Sequence, residues 1–272
     1  MKKISLFVLV MLVMLVSISG LTSCLEGGGN KMTGSDFGVL TTGNGKALFV
    51  INTPSMGPVY DPQILEWITT GEMQVNGCYL LSFEIDYDLP ENSSDQVAAN
   101  GYQTILITGK NELTVHNVES VLTDTSKVLT GEIPVINGFA EAGAYIEPYL
   151  IVPQAVRHPD DADLDWNMSY DSRTLTEPEE EQGARYYDLF LRVVQTEESS
   201  KSPQDIGYYN AYQMRSFLQM AAEHEKGMLG SSYSSGTSTF RIRVNYAREI
   251  KDSVITWQNS VQPIPIAFFV EE

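Results

Sequence analysis

Short segments in which hydrophobic and polar residues alternate occupy most of this chain. The clearest lies in residues 77–89, where Phe83 and Ile85 are separated by acidic residues. A period of two places one row of side chains on a buried face and the other in water, which is typical of a β-strand. Residues 239–246 show the same alternation. The pattern therefore predicts an all-β, or mainly β, protein.

Turn residues divide these segments into two groups. Residues 37–126 contain about five predicted strands and open with a hairpin around Gly43-Asn44-Gly45, a tight-turn signature. Five antiparallel strands in a segment of this length favour a small closed barrel, because closure removes exposed strand edges. Residues 127–272 contain further strands and form the second predicted domain.

One helix is predicted inside the second domain, near residues 203–227. Ser202 and Asp205 have the spacing of a capping box, and Pro203 suits a first helical position. Apolar residues then recur at intervals of three and four up to Gly227, as on one face of a helix. The aromatic and methionine stripe is interpreted as packing against the sheet.

Residues 1–23 have the pattern of a signal peptide. Two lysines precede a hydrophobic run that ends in small and polar residues. The alternatives are a retained membrane-spanning helix and a plain secretory signal. A spanning helix needs about 20 apolar residues, and the serines near the end of this run shorten it.

The sequence Leu21-Thr22-Ser23-Cys24 resembles a bacterial lipobox. The resemblance implies that a diacylglyceryl group is added to Cys24, that cleavage follows Ser23, and that the new amino terminus is acylated. A plain secretory signal needs no cysteine at this position. Several acyl chains together hold a protein firmly to a membrane, so the mature chain is expected at a membrane surface.

A glycine-rich segment, residues 24–36, follows the lipidated cysteine and predicts a flexible tether. A tether of this length would hold the folded part clear of the bilayer. The only other cysteine, Cys78, lies in a strand-like segment and is interpreted as a buried structural thiol.

The chain is strongly acidic, with a formal net charge of -18. Residues 37–126 carry 2 basic and 11 acidic residues, so this domain lacks the positive surface that phosphate binding requires. Nucleic acid is therefore not expected as a partner. Anionic headgroups would also repel the chain, which leaves the lipid as its attachment to the membrane.

No catalytic residue, metal site or cofactor is predicted. Asp161, Asp163 and Asp165 have the alternation of a calcium loop, but Trp166 stands where an EF-hand needs glycine and Ser172 where it needs a bidentate acid. A looser calcium site and a solvated acidic loop both stay open. The three histidines lack zinc spacing, and no nucleophile-elbow, P-loop or Rossmann glycine pattern occurs.

Ser253 is a candidate modification site. Asp252-Ser253-Val254 resembles the acceptor sequence of protein O-glycosylation in Gram-negative anaerobes. The site residues named from the sequence are thus Cys24 for lipidation and Ser253 for O-glycosylation.

The layout of the chain resembles the NigD-like lipoproteins. The resemblance rests on the lipobox, the linker, the hairpin with a Gly-Asn-Gly turn, the long central strand, and a strand that ends in His116-Asn117-Val118. It implies a small OB-like barrel followed by a β-sandwich, here with one inserted helix. It supplies no catalytic residue.

These observations favour a non-enzymatic lipoprotein of the cell envelope that binds a protein or ligand partner. An outer-membrane location is expected, facing either the periplasm or the exterior. The alternative hypothesis is a surface glycan-binding accessory lipoprotein that stacks sugars on Trp166, Tyr170, Tyr208 or Tyr209. Burial of those rings would remove this alternative.

Overall fold

The computed structural model of the chain describes residues 29–43, 46–121, 124–136, 144–171, 179–181, 184–229, 237–259 and 264–269. The chain divides into two compact units, Met1–Leu113 and Thr114–Glu272. Strands dominate both units and helices are few and short, so the all-β fold class is confirmed.

The first unit is a small barrel. Its strands are β1 (Lys31–Thr42), β2 (Phe49–Thr53), β3 (Gly57–Tyr60), β4 (Cys78–Asp86), β5 (Gln103–Thr104) and β6 (Leu106–Glu112). They are hydrogen-bonded in the order β5-β3-β2-β1-β4-β6. Only Ile105 separates the two outermost strands, β5 and β6, along the chain. They therefore behave as one bent strand that closes the sheet on itself.

The part of this unit that the structure describes also contains two helices, α1 (Ile64–Thr70) and α2 (Ser94–Asn100), and a 3-10 turn spans Pro90–Asn92. The sequence Gln63-Ile64-Leu65-Glu66-Trp67-Ile68 predicts a strand, but the structure shows that it forms most of α1. Ile64 and Trp67 lie three residues apart and both are buried, as on one face of a helix. Gly71 ends α1 with a positive φ of 78°, a conformation that glycine adopts without strain.

The barrel interior is filled by the inward rows of the strands. Leu40, Ile51, Val59, Leu81 and Phe83 share one hydrophobic core and are at most 4% exposed. The alternation predicted in β4 is confirmed, because its odd-numbered residues from Tyr79 to Ile85 lie in this core.

In its described residues, the second unit contains twelve strands and one helix. They are β7 (Thr114–Ser120), β8 (Glu132–Ile133), β9 (Val135–Ile136), β10 (Ala144–Ile146), β11 (Tyr149–His158), β12 (Leu164–Tyr170), β13 (Glu179–Glu181), β14 (Ala184–Gln195), β15 (Gln204–Gln213), α3 (Arg215–Leu229), β16 (Thr237–Lys251), β17 (Val254–Asn259) and β18 (Ile264–Phe269).

One strand joins two layers in this unit. The principal strand order is β10-β11-β15-β7-β12-β14-β16-β17. The first half of β7 pairs with β15 and its second half pairs with β12, in both cases in parallel. Inward residues on both sides of β7, such as Leu150 on β11 and Leu189 on β14, belong to one hydrophobic core.

Three predicted boundaries differ from the structure. β1 begins at Lys31, inside the predicted tether 24–36, because residues 31–39 pair with β4. β7 belongs to the second sheet, so the units meet after Leu113 rather than after residue 126. The helix predicted near residues 203–227 starts only at Arg215. Its predicted first half is β15, which pairs with β11 along its whole length.

Candidate functional site

The two site residues named from the sequence have different outcomes. Cys24 lies outside the described residues, so its lipidation stays a prediction. Ser253 lies with Asp252 in a two-residue turn between β16 and β17, flanked by the pair Lys251 and Val254. Both turn residues are exposed and have positive φ values of 51° and 62°. The hydroxyl of Ser253 is thus at an exposed hairpin tip.

Two of the four rings named for glycan stacking are buried. Trp166 is 7% exposed and Tyr170 is 1% exposed, and both belong to the core of the second unit. Tyr170 packs edge-on against Phe217 of α3 at 5.2 Å between ring centroids. These two rings therefore pack the core and offer no platform for a sugar, while Tyr208 and Tyr209 are partly buried.

The acidic loop after β11 is tied down by hydrogen bonds within the protein. The Asp161 carboxylate accepts a hydrogen bond from the Ser199 hydroxyl at 2.7 Å, and the Lys201 ammonium lies 3.5 Å from it. Lys201 also pairs with Asp160 at 2.9 Å, so this ammonium balances the charge of two of the loop's carboxylates. Among the described residues, no group of three or more His, Cys, Asp or Glu side chains could hold a metal ion.

A buried charged cluster fastens α3 to the sheet. Glu225 is fully buried, and both of its carboxylate oxygens accept hydrogen bonds from Arg185 Nε at 2.7 Å. The Tyr187 hydroxyl donates to Glu225 Oε1 at 2.5 Å and lies 3.0 Å from His224 Nδ1. Burial, and then the Glu225 carboxylate, raise the pKa of Tyr187 above its ordinary value.

This cluster is built for stability rather than for catalysis. Arg185 neutralises the Glu225 carboxylate, and a tyrosine with a raised pKa keeps its proton at physiological pH. A nucleophile would need the opposite shift, or a base free to take its proton. A tyrosine, a histidine and a glutamate in contact can form a catalytic site. Here the glutamate is paired with an arginine and the pKa of the tyrosine is raised, so neither is prepared for proton transfer.

A second buried ion pair holds the segment that precedes β8. Arg192 Nε and Nη2 donate to the two oxygens of Glu132, each at 2.8 Å. Arg192 also donates to the backbone carbonyls of Asp124 and Lys127. Trp257 Nε1 donates to the Thr125 carbonyl at 2.9 Å. These bonds attach residues 124–132 to the outer face of β14 and β17.

The outer face of β14 and β16 carries an ordered group that the sequence analysis missed. Arg243 forms a two-pronged contact with Asp188, with N–O distances of 2.6 and 2.8 Å, and Asn245 donates to the same carboxylate at 2.7 Å. The guanidinium carbons of Arg241 and Arg243 lie 5.8 and 5.6 Å from the Tyr186 ring centroid. We call these five residues the arginine–tyrosine face.

The alternation of polar and apolar residues in the sequence marks part of this face. Arg241, Arg243 and Asn245 form the polar row of a strictly alternating strand, and Tyr186 and Asp188 form the same row on β14. The register of β14 with β16 was needed to bring them together. Arg241 is exposed, and its Nη1 donates to the Tyr186 hydroxyl at 3.1 Å.

His158 and His116 each contact a polar side chain. His158 is 1% exposed and its Nε2 lies 2.6 Å from the Tyr208 hydroxyl. His116 Nε2 lies 3.4 Å from Asn210 Oδ1, and burial lowers the pKa of His116. Within the described part of the chain, then, each of these histidines bonds to a neutral side chain.

No helix in the described ranges is long and apolar enough to cross a bilayer.

The first unit matches a known family. Residues 28–111 match the family described as "Lipoprotein OB domain". The barrel is therefore similar to the OB domains of that family. The resemblance to NigD-like lipoproteins, predicted from the layout of the chain, is confirmed at the level of an OB-containing lipoprotein.

Solved structures share the fold over most of the chain. An uncharacterized protein from Parabacteroides merdae has 22% sequence identity and a TM-score of 0.66, over 88% of this chain and 99% of that chain. A protein of unknown function from Bacteroides vulgatus has 10% identity and a TM-score of 0.51, over 86% and 92% of the two chains. A NigD-like immunity protein from Bacteroides caccae has 11% identity and a TM-score of 0.44, over 82% and 91%. A search of the curated proteins finds no match.

Proposed function

We propose that this protein is a non-enzymatic lipoprotein of the cell envelope, anchored through a lipidated Cys24 after residues 1–23 are removed. The observation that carries the proposal is a lipobox-like sequence directly ahead of a domain that matches a lipoprotein OB family. Chemistry at the described titratable clusters is not favoured, because Glu225 and Glu132 are each neutralised by an arginine. We place the protein at the outer membrane, facing either the periplasm or the exterior.

Metabolic labelling tests the anchor. Cells expressing the full chain are grown with a clickable fatty acid, and the protein is expected to incorporate the label. Cys24→Ala should abolish incorporation, whereas the matched Cys78→Ala variant should keep it, because Cys78 is fully buried in the barrel. Equal labelling of the Cys24→Ala variant would refute the anchor. Protease treatment of intact cells then distinguishes exterior from periplasmic exposure.

The arginine–tyrosine face is proposed as the partner-binding surface. It offers an exposed cation on a chain whose net charge is -18, which suits an acidic segment of a partner protein. Its side chains are already held by hydrogen bonds and ring contacts, so little conformational entropy is lost when they bind.

Cross-linking in cells tests this surface. A photo-reactive residue at the exposed Asn259, which pairs in register with Asn245 of this face, is expected to give one discrete adduct, and a matched probe at the exposed Arg157 is expected to give none. Introducing Asp188→Ala together with the probe should weaken the adduct, because Arg243 would lose the carboxylate that orients it. No adduct at position 259, or equal adducts at both positions, would refute the assignment.

Glycan binding is the second candidate for the same face. Trp166 and Tyr170, which the sequence suggested for stacking sugars, are buried. On the arginine–tyrosine face, the Tyr186 ring offers a stacking surface, and Asp188 and Asn245 beside it offer hydrogen-bonding groups. A glycan array probed with the wild-type chain and with Tyr186→Ala separates the two candidates. Specific binding that the variant loses would favour a glycan partner.

O-glycosylation of Ser253 is also proposed, since the structure leaves this hydroxyl exposed in a hairpin turn. Peptide mapping of the envelope-purified protein should show a glycan mass on the peptide that contains Ser253, and Ser253→Ala should remove it. An unmodified peptide from the native host would refute this modification.

A further inference from the structure

The point where the chain enters the barrel is fixed by hydrogen bonds. The Asn30 carbonyl accepts from the Tyr87 amide at 2.8 Å, and the Asn30 amide donates to Asp88 Oδ2 at 2.9 Å. Lys31 pairs in register with Asp86, and its Nζ lies 2.7 Å from Glu84 Oε1. Residues 30 and 31 are therefore bound to the end of β4. We call this end of the first unit the entry end.

The entry end stays close to the anchor. Five residue steps separate Cys24 from Gly29, and a fully extended chain of that length spans at most about 18 Å. A lipidated Cys24 lies in the headgroup region, so the entry end cannot move far from the bilayer. This reverses the expectation from the longer tether, and it rests on the lipid anchor proposed above.

Exposed hydrophobic side chains gather at the entry end. Tyr87 and Leu89 are each 40% exposed and Leu106 is 50% exposed. The Leu89 amide donates to the Asp86 carbonyl, and Leu106 pairs in register with Glu84, which places both beside the end of β4. Tyrosine and leucine side chains of this kind enter the boundary between headgroups and acyl chains readily.

The charges at the entry end select the kind of lipid. Glu84, Asp86 and Asp88 lie at the entry end, where the Lys31 ammonium pairs with Glu84 and Asp86. Carboxylates repel anionic headgroups but accept hydrogen bonds from the ammonium group of a zwitterionic headgroup such as phosphatidylethanolamine. The exposed apolar side chains favour a membrane surface, and the excess of carboxylates favours one with zwitterionic headgroups.

We propose that the entry end docks on the surface of a phosphatidylethanolamine-containing bilayer, with Tyr87, Leu89 and Leu106 in its interface. The tether makes this contact intramolecular, and a short flexible linker gives an effective concentration on the order of millimolar. A contact too weak to recruit a free protein is then populated in the anchored one. The barrel is held against the membrane in one orientation rather than swinging on its tether.

Fluorescence quenching by lipids tests the proposal on the mature lipidated chain in vesicles of phosphatidylethanolamine and phosphatidylcholine. Leu89→Cys and Leu106→Cys are each labelled with a fluorophore, and Cys78 stays unlabelled because it is fully buried. Lipids brominated on their acyl chains are expected to quench both labels several-fold more than a label on Leu48→Cys. Leu48 is a matched control, since it is 74% exposed but lies next to the opposite end of β1.

The outcomes separate the docking from the anchor. Flotation of the vesicles shows whether the chain is anchored at all. A chain that floats but whose Leu89 and Leu106 labels are quenched no more than the Leu48 label overturns the docking and leaves the anchor standing. A chain that does not float overturns both. Replacing phosphatidylethanolamine by phosphatidylglycerol should reduce quenching at Leu89, and unchanged quenching would overturn the headgroup preference.

Discussion

Asp61 shows how one buried carboxylate organises the barrel. It is 1% exposed, and its two oxygens accept hydrogen bonds from the Gln63 amide at 2.8 Å and from the Ile107 amide at 2.7 Å. The first bond starts α1, and the second holds the strand that closes the barrel. Because backbone amides without acceptors are costly when buried, one side chain supports two elements.

Replacing Asp61 is therefore expected to destabilise the first unit. Asp61→Ala removes a charged acceptor from two backbone amides and should lower the free energy of unfolding by about 2–3 kcal/mol. Asp61→Asn keeps one acceptor oxygen, so its loss should be smaller. Urea unfolding of the variants measures both. A change in Asp61→Ala within about 0.5 kcal/mol, the size of an ordinary surface substitution, would contradict this role.

Cys78 is expected to be unreactive while the barrel is folded. It is fully buried, and burial raises the pKa of its thiol to about 12. Since only the thiolate reacts readily, alkylation by iodoacetamide at neutral pH should require unfolding. In the Cys24→Ala chain, labelling should appear only as denaturant is added. Rapid modification of Cys78 without denaturant would show that the segment around β4 opens easily.

At the scale of elements, the strands with clean alternation were predictable and the ambiguous segments were not. In β16, Phe240, Ile242 and Val244 face the core as their period predicts. In β15, tyrosines stand at both 208 and 209, so the period of two was hidden and a helical spacing could be counted. Pairing with β11 decided the outcome, because long-range contacts override weak local preference.

Among the candidate sites too, those marked by a local sequence motif were predictable and those formed by long-range strand pairing were not. Ser253 was found from a three-residue motif and lies in an exposed turn. The arginine–tyrosine face could not be assigned from the sequence, since Tyr186 and Arg241 meet only through the register of β14 and β16. Glu225 was one of 35 acidic residues, and nothing local marks it as the one buried against Arg185.

The attachment of α3 is expected to depend on that buried pair. Glu225→Gln leaves the side chain's volume but removes the charge that Arg185 and Tyr187 contact. Breaking a buried pair by neutralising one partner costs about 3–5 kcal/mol. Hydrogen exchange in α3 should accelerate accordingly, whereas the matched Glu223→Gln, at an exposed position on the same helix, should leave it unchanged. Equal exchange in both variants would show that hydrophobic packing alone holds α3.

Buried tyrosines predict how the second unit responds to high pH. Burial raises the pKa values of Tyr145, Tyr187 and Tyr212 above the ordinary 10.0. The folded chain then holds these protons more tightly than the unfolded chain does. Their stabilisation is complete below pH 10.0 and is lost as pH rises above it.

Thermal unfolding measured on both sides of pH 10.0 tests this dependence. The wild-type midpoint should fall as pH increases, and Tyr187→Phe should show a shallower fall because it has one fewer proton to lose. A midpoint that does not change with pH across this range would contradict the assignment.

The whole molecule combines an acidic surface with two β units behind a short tether. A net charge of -18 disfavours nucleic acid and anionic lipid, so the lipid that we propose on Cys24, with the contacts next to it, accounts for attachment to a membrane. Fold similarity to solved structures under 25% identical extends over most of the chain but supplies no activity. The proposed function therefore depends on the membrane to which Cys24 attaches the chain and on the partner that the arginine–tyrosine face contacts there.

Intact mass spectrometry of the protein purified from the envelope of its native host tests the lipid anchor most directly. The account predicts a chain of residues 24–272 that carries a diacylglyceryl thioether on Cys24 and an acylated amino terminus. A mass that matches residues 1–272, or a free thiol at position 24, would contradict it.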